Sequence, residues 1–239
     1  MSSNAKSDLY HYISDMRNRY PSLCYSNDRD IKGFCDANNI ELLLNNFQSR
    51  GICGAALVGE KHDTIVLNNC RNELEMGFDF IHELVHTQRH RNSEKPFFTC
   101  LYSEQDTFIE WEANEGAAEF LVPYKAFIPV FCELYDVYVN CYNLWKLTYG
   151  ETTFTQELAD RFLVTEMIII NRIKNLSYEI DQYMKSSNVD KISVLSNSAQ
   201  KRFGIEATDY AGEIECLELE HAFEDIDNNC PPPPISVGF

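Results

Sequence analysis

The pentad His82-Glu83-Leu84-Val85-His86 constrains this chain more than any other segment. Residues four apart on an α-helix lie one turn apart on one face, so two imidazoles at that spacing can address one metal ion. The acid between them is carried beside that ion, where a carboxylate can take a proton from an attacking water. The chemistry requires a helix, and the flanking sequence supplies one. Asn72 followed by Glu75 has the pattern of a capping box, which opens a helix. Leu74, Phe78, Ile81 and Val85 then recur at helical spacing as an apolar stripe. At about 100° per residue, Glu75, Asp79, His82, His86 and His90 fall together on a different face. A solvated helix would carry Lys, Gln and Glu there; a column of acids and histidines suits a metal.

Two histidines are one protein ligand short of a zinc site that does chemistry, which has three such ligands and an open position. His90 continues the series, but eight residues of helix rise about 12 Å between His82 and His90, too far for one ion to touch both. His90 is read as a group behind a ligand, a substrate-facing group or an exposed one. The segment from Glu110 to Pro123 is a better source. It reads as a helix with Ser103 and Asp106 near its start and Pro123 as its stop. Glu112 and Glu119 lie two turns apart on one face with Glu115 flanking them, while Trp111, Ala118 and Leu121 serve a core.

On these residues the chain resembles the ImmA/IrrE group of bacterial and phage zinc metallopeptidases. That group has a strand ending in Asn, a helix with H-E-L-x-H, and a second helix of the form E-A-N-x-F-A-A-E-L-L-x-P. Here Ile65-Val66-Leu67-Asn68 match the strand, His82 to His86 the first helix, and Glu112-Ala113-Asn114 through Pro123 the second. The resemblance spans about residues 28 to 176. It implies a zincin-like α+β fold, mainly helical, with a small β-hairpin sheet beside the metal-binding helices. It also implies a Zn²⁺ held by His82, His86 and Glu112, with Glu83 as general base and Glu110 and Glu115 as weaker competitors for the third ligand. The implied activity is a zinc-dependent endopeptidase whose protein substrate is a helix-turn-helix repressor, cleaved to switch a stress or mobile-element programme. One position departs from the pattern: Gly116 stands where the aromatic is expected. Glycine costs a helix roughly 1 kcal/mol against Ala and removes a core side chain.

Charge narrows the partners. With 20 basic residues against 37 acidic, the formal charge is −17, which opposes tracking of phosphates and favours a basic protein partner. A local basic stretch, Gln88-Arg89-His90-Arg91, is the one exception. Direct nucleic-acid binding is therefore not expected. Nor is a membrane association, since no run approaches the roughly eighteen apolar residues of a span. The start of the chain has no apolar signal-peptide core, and the nine Cys are scattered without a C-x-x-C pair, which fits reduced thiols in the cytoplasm.

Elsewhere, Leu9, Ile13, Met16 and Tyr20 predict an opening helix that ends before Pro21, and Ile31, Phe34 and Cys35 a second one closed by Asn38-Asn39. Residues 52–58 and 64–67 predict a hairpin whose edge could take an extended substrate by strand addition. Val130, Leu134, Val137, Cys141 and Leu144 continue a helical pattern beyond Pro123. The stretch from Leu158 to Leu176 resembles helix-turn-helix patterning, with Thr165 capping the second helix. That helix is apolar with a leading acid, which favours two packed core helices over a reader of base edges. Residues 1–185 are expected as a zincin-like metallopeptidase domain with helical support. Residues 186–239 are expected as an acidic, Pro-ending extension, in part disordered. Two readings compete with the enzyme: a metal-binding regulator of the same fold that acts by protein binding, and a helix-turn-helix DNA-binding regulator. The intact Glu83 favours the enzyme over the first, and the charge opposes the second.

Overall fold

The computed structural model describes residues 5–24, 30–47, 52–93, 96–101 and 107–229. Its centre is a helix, α3 (Glu73–Arg89), laid on a four-stranded sheet. The sheet comprises β1 (Ile40–Asn45), β2 (Ile52–Leu57), β3 (Asp63–Asn68) and β4 (Phe97–Leu101), in the order β1-β3-β2-β4. β2 and β3 form the expected antiparallel hairpin, with Ala55 opposite Val66. Neither hairpin strand is an edge. β1 runs parallel to β3, with Leu42 opposite Ile65, and β4 runs antiparallel to β2, with Ala56 opposite Phe98. Among the described residues the free edges therefore belong to β1 and β4, not to the hairpin.

The capping box of α3 forms as the sequence predicts: the Asn72 side chain accepts from Glu75 N–H, and the Glu75 carboxylate accepts from Asn72 N–H. The expected two-faced helix does not form. From Asp79 to Thr87 every residue is buried, Phe80 and Leu84 as fully as Ile81 and Val85, while Leu74 at the start is exposed. The physical reason is that α3 is covered on both sides, by the sheet and by α4 (Phe108–Leu121). α4 starts at Thr107, whose side chain accepts from Glu110 N–H. Ser103 and Asp106, expected near its start, lie outside the described residues. Gly116 leaves no void where the aromatic was expected. A Cβ there would stand 3.2 Å from Ile13 Cδ1 and 3.3 Å from Val85 Cγ2, so side chains of α1 (Ala5–Arg19) and α3 already fill the space.

Helices fill the rest. α2 (Ile31–Ala37) precedes β1, and α5 (Tyr124–Asn140) follows α4. The pattern expected to run on to Leu144 breaks at Cys141, which ends α5 and begins α6 (Tyr142–Tyr149), leaving Leu144 exposed. α7 (Phe154–Phe162) and α8 (Glu166–Ser186) are the helix-turn-helix-like pair, joined through Leu163 in a left-handed conformation. Thr165 stands at the N-cap of α8 but its side chain makes no capping hydrogen bond. The buried face of α8 is Ile168, Ile169, Arg172, Ile173, Leu176 and Ile180, all packed into the protein. Beyond it lie α9 (Asn197–Arg202) and α10 (Tyr210–Asn229), which carries the acid-rich stretch and sends Tyr210 and Ile214 into the core. Cys230 and Pro231 to Pro234 lie outside the described residues. The result is a mostly helical α+β protein with one small mixed sheet, as the resemblance implies. No described helix is long and apolar enough to cross a membrane.

Candidate metal centre

The pentad sits mid-helix, so His82 and His86 project from one face of α3 with their rings 4.8 Å apart. Their Nε2 atoms lie 3.1 Å from each other, and each lies 3.4 Å from a carboxylate oxygen of Glu110. Ligands at about 2.0–2.1 Å from a tetrahedral zinc stand about 3.3 Å from one another, so these separations fit the edges of such a site. Among the described residues, His82, His86 and Glu110 are the cluster whose donor atoms all fall within 4.8 Å of one another. Both histidines are buried, while Glu110 keeps 13% of its side chain exposed.

The structure places Glu112, the expected third ligand, away from this cluster. Glu112 does not face the histidine pair; its carboxylate is occupied by Arg89 Nε at 2.9 Å, by Arg89 Nη2, and by His90 Nε2 at 3.1 Å. Two residues along a helix is a rotation of about 200°, so Glu110 and Glu112 cannot serve the same point on α3. The signal that could have chosen Glu110 lies in the small residues. Ala113 and Ala117 are fully buried, and Glu110 continues their stripe one turn upstream. Glu115 and Glu119 are engaged elsewhere, with Arg172. His90 is buried behind the pair, its Nδ1 3.0 Å from His86 Nδ1. The basic stretch is neutralised in place, Arg89 by Glu112 and Arg91 by Asp63.

The electrostatics suit a cation. Burial lowers the pKa of His86 to about 4, outweighing the hydrogen bond to Glu110, so the imidazole is neutral with a free lone pair. Burial raises Glu110, but the His82 and His86 imidazoles beside its carboxyl outweigh that and bring it to about 2. Asp79, one turn before His82, is paired with Arg71, and burial raises it to about 6. Glu83 is fully buried, and neither of its oxygens accepts a hydrogen bond from the described residues. Burial pushes its carboxyl well above the usual range, with Glu110 and Asp79 adding to the rise. An unpartnered buried carboxylate is costly to a fold, so it calls for a role beyond packing. Gly54 of β2 makes room for it: a Cβ there would lie 2.9 Å from Glu83 Oε1 and 2.9 Å from the backbone oxygen of Val66. Sequence reasoning missed Gly54. It also missed Phe98 of β4, whose ring stacks on His86 at 4.5 Å and fixes the plane of that imidazole.

Residues 35–174 match the Peptidase_M78 family model, described as an IrrE N-terminal-like domain. A comparison with curated proteins found no match. The matched span covers more than half of the chain and contains the whole sheet, α3 and α4. With the pentad helix, the acidic second helix and the strand between them all inside that span, the chain belongs to the Peptidase_M78 family of IrrE N-terminal-like domains.

Proposed function

We propose that this protein is a zinc-dependent endopeptidase, with His82, His86 and Glu110 as metal ligands and Glu83 as the catalytic base. The observation that carries the reading is the convergence of the three donors beside a buried carboxylate that has no hydrogen-bond partner. A zinc ion bound there would polarise a scissile carbonyl and lower the pKa of a coordinated water toward about 7. Glu83 takes the proton from the attacking water and passes it to the leaving amine. Burial raises the pKa of its carboxyl, and a neighbouring cation would draw it down. Gly54 and the sheet behind it hold the carboxylate in place. The free edge of β4, whose Phe98 abuts His86, is the natural seat for an extended peptide, paired through its backbone.

For the substrate we propose a helix-turn-helix repressor in the cytoplasm, met as protein to protein. The charge of −17 supports a basic protein partner over DNA. Burial of Arg172 in α8, paired with two glutamates, removes the one arginine a recognition helix there would offer. Cys24, Cys35, Cys53, Cys70, Cys132, Cys141 and Cys216 are not in disulfides, in keeping with a reducing compartment. In this reading residues 1–185 form the peptidase unit and residues 186–239 an acidic extension to it. The test is incubation of the zinc-loaded protein with candidate repressors, alongside Glu83→Gln. The wild type should cut one site while Glu83→Gln keeps its metal and cuts nothing, because an amide of the same shape cannot accept the proton. Binding of the repressor without cleavage would favour the non-proteolytic regulator.

A further inference from the structure

His90 and Glu112 stand outside the donor cluster, yet both are buried and both are linked to it. His90 Nδ1 lies 3.0 Å from His86 Nδ1, and His90 Nε2 lies 3.1 Å from Glu112 Oε2. The other carboxylate oxygen accepts from Arg89 Nε at 2.9 Å and from Arg89 Nη2. The Arg89 guanidinium is itself laid over the Tyr12 ring, 5.0 Å from its centre.

Protons along this chain can be assigned from its end. An ionised carboxylate only accepts, so His90 Nε2 carries the hydrogen given to Glu112. The two Nδ1 atoms, 3.0 Å apart, share one hydrogen, and with the hydrogen of His90 spent on Nε2 that one belongs to His86. Carrying its proton on Nδ1, His86 is left with a lone pair on Nε2. That is the atom facing His82 Nε2 and Glu110. The tautomer of a proposed ligand is thus set by a carboxylate two imidazoles away, and Phe98 fixes the plane of the same ring.

We propose that Glu112 and His90 are positioning residues that hold His86 in the tautomer and orientation required to bind the metal through Nε2. The inference rests on the metal-site reading above and assigns the acid of the second helix a task other than ligation. Outer partners of this kind change metal affinity by about 10–100-fold when removed.

The test is competition for Zn²⁺ against a chromophoric chelator, with thermal unfolding of each apo variant. Removing the ligand in His86→Ala should abolish tight binding. His90→Leu and Glu112→Ala should each weaken it about 10–100-fold. His90→Asn should recover most of the loss, because its side-chain oxygen can take the place of Nδ1 and accept from His86. The double variant His90→Leu/Glu112→Ala should bind no more weakly than His90→Leu, since both changes act through one bond. Should the Leu or Ala variants fail to fold, a long-range ¹H–¹⁵N spectrum of the zinc-free wild type decides, and His86 should carry its proton on Nδ1. Affinities within about twofold of wild type for His90→Leu and Glu112→Ala, additive losses in the double variant, or a His86 protonated on Nε2 would each overturn the proposal and leave the metal site standing. Undiminished binding by His86→Ala would overturn the metal site itself.

Discussion

Replacing Arg172 by Met takes a fully buried guanidinium from the junction of α1, α4 and α8. In the wild type its Nη1 donates to Glu115 Oε1 at 2.6 Å and to the Tyr10 hydroxyl at 2.7 Å, its Nη2 to Glu119, and its Nε to the Val122 carbonyl at 2.9 Å. After the change Glu115 keeps Asn175 and Tyr10, and Glu119 keeps the Tyr124 N–H, but neither keeps this cation. Breaking a buried pair from one side costs about 3–5 kcal/mol. At about 2–4 °C per kcal/mol for a chain of this size, the melting temperature should fall by roughly 6–20 °C. The loss should depend on pH. Burial already holds the Glu119 carboxyl up at about 7 against the pull of Arg172, and without Arg172 it rises further. An acid whose folded pKa exceeds its unfolded value adds a penalty that is absent below the unfolded pKa and complete above the folded one. The deficit should therefore be smaller at pH 5 than at pH 8. Urea denaturation followed by circular dichroism at both pH values measures it. Arg172→Met/Glu115→Gln/Glu119→Gln, which leaves no uncompensated charge, should recover most of the stability. A deficit below about 1 kcal/mol at pH 8, against the 3–5 expected for a broken buried pair, or a larger one at pH 5, would refute the reasoning.

Two further substitutions probe how glycines shape the site. Gly54→Ala brings a Cβ to 2.9 Å from Glu83 Oε1 and from the Val66 carbonyl, so the base has to move. Displacement on the order of 1 Å costs about 100-fold in rate; peptide hydrolysis should fall about 10–100-fold with metal content intact, and unchanged turnover would count against Glu83 as base. Gly116→Phe, which restores the aromatic expected there, should destabilise by about 1–3 kcal/mol because Ile13 and Val85 occupy the space. Gly116→Ala should be near neutral, its gain of roughly 1 kcal/mol in helix propensity offsetting a tight contact; urea denaturation of the pair checks both.

Local rules are what made parts of this protein legible in its sequence. The Asn72–Glu75 box, the two histidines one turn apart and the β2–β3 hairpin are each decided within a few residues, and all three form as read. The strands β1 and β4 escaped because neither shows alternation. β1 pairs with one neighbour only; Ile40 and Leu42 turn inward while Leu43 and Leu44 are exposed, so its run of leucines shows no polar–apolar alternation to detect. The burial of α3 on all sides likewise depends on what packs over it, which the stripe through Ile81 and Val85 does not encode. Which acid of α4 faces the histidines was hidden for the same reason. Glu110 and Glu112 are equally good acids on one short helix, and only the way α4 crosses α3 sends the first to the histidines and the second to Arg89 and His90.

The assignment of Glu110 is where the account is most exposed, and metal binding tests it most directly. Purified protein should hold about one zinc per chain after dialysis, as a site with three protein ligands does. Glu110→Ala, which removes a donor 3.4 Å from both imidazoles, should lose that ion on dialysis. A wild type that holds no divalent ion, or a Glu110→Ala variant that keeps its zinc as firmly as the wild type, would contradict the account.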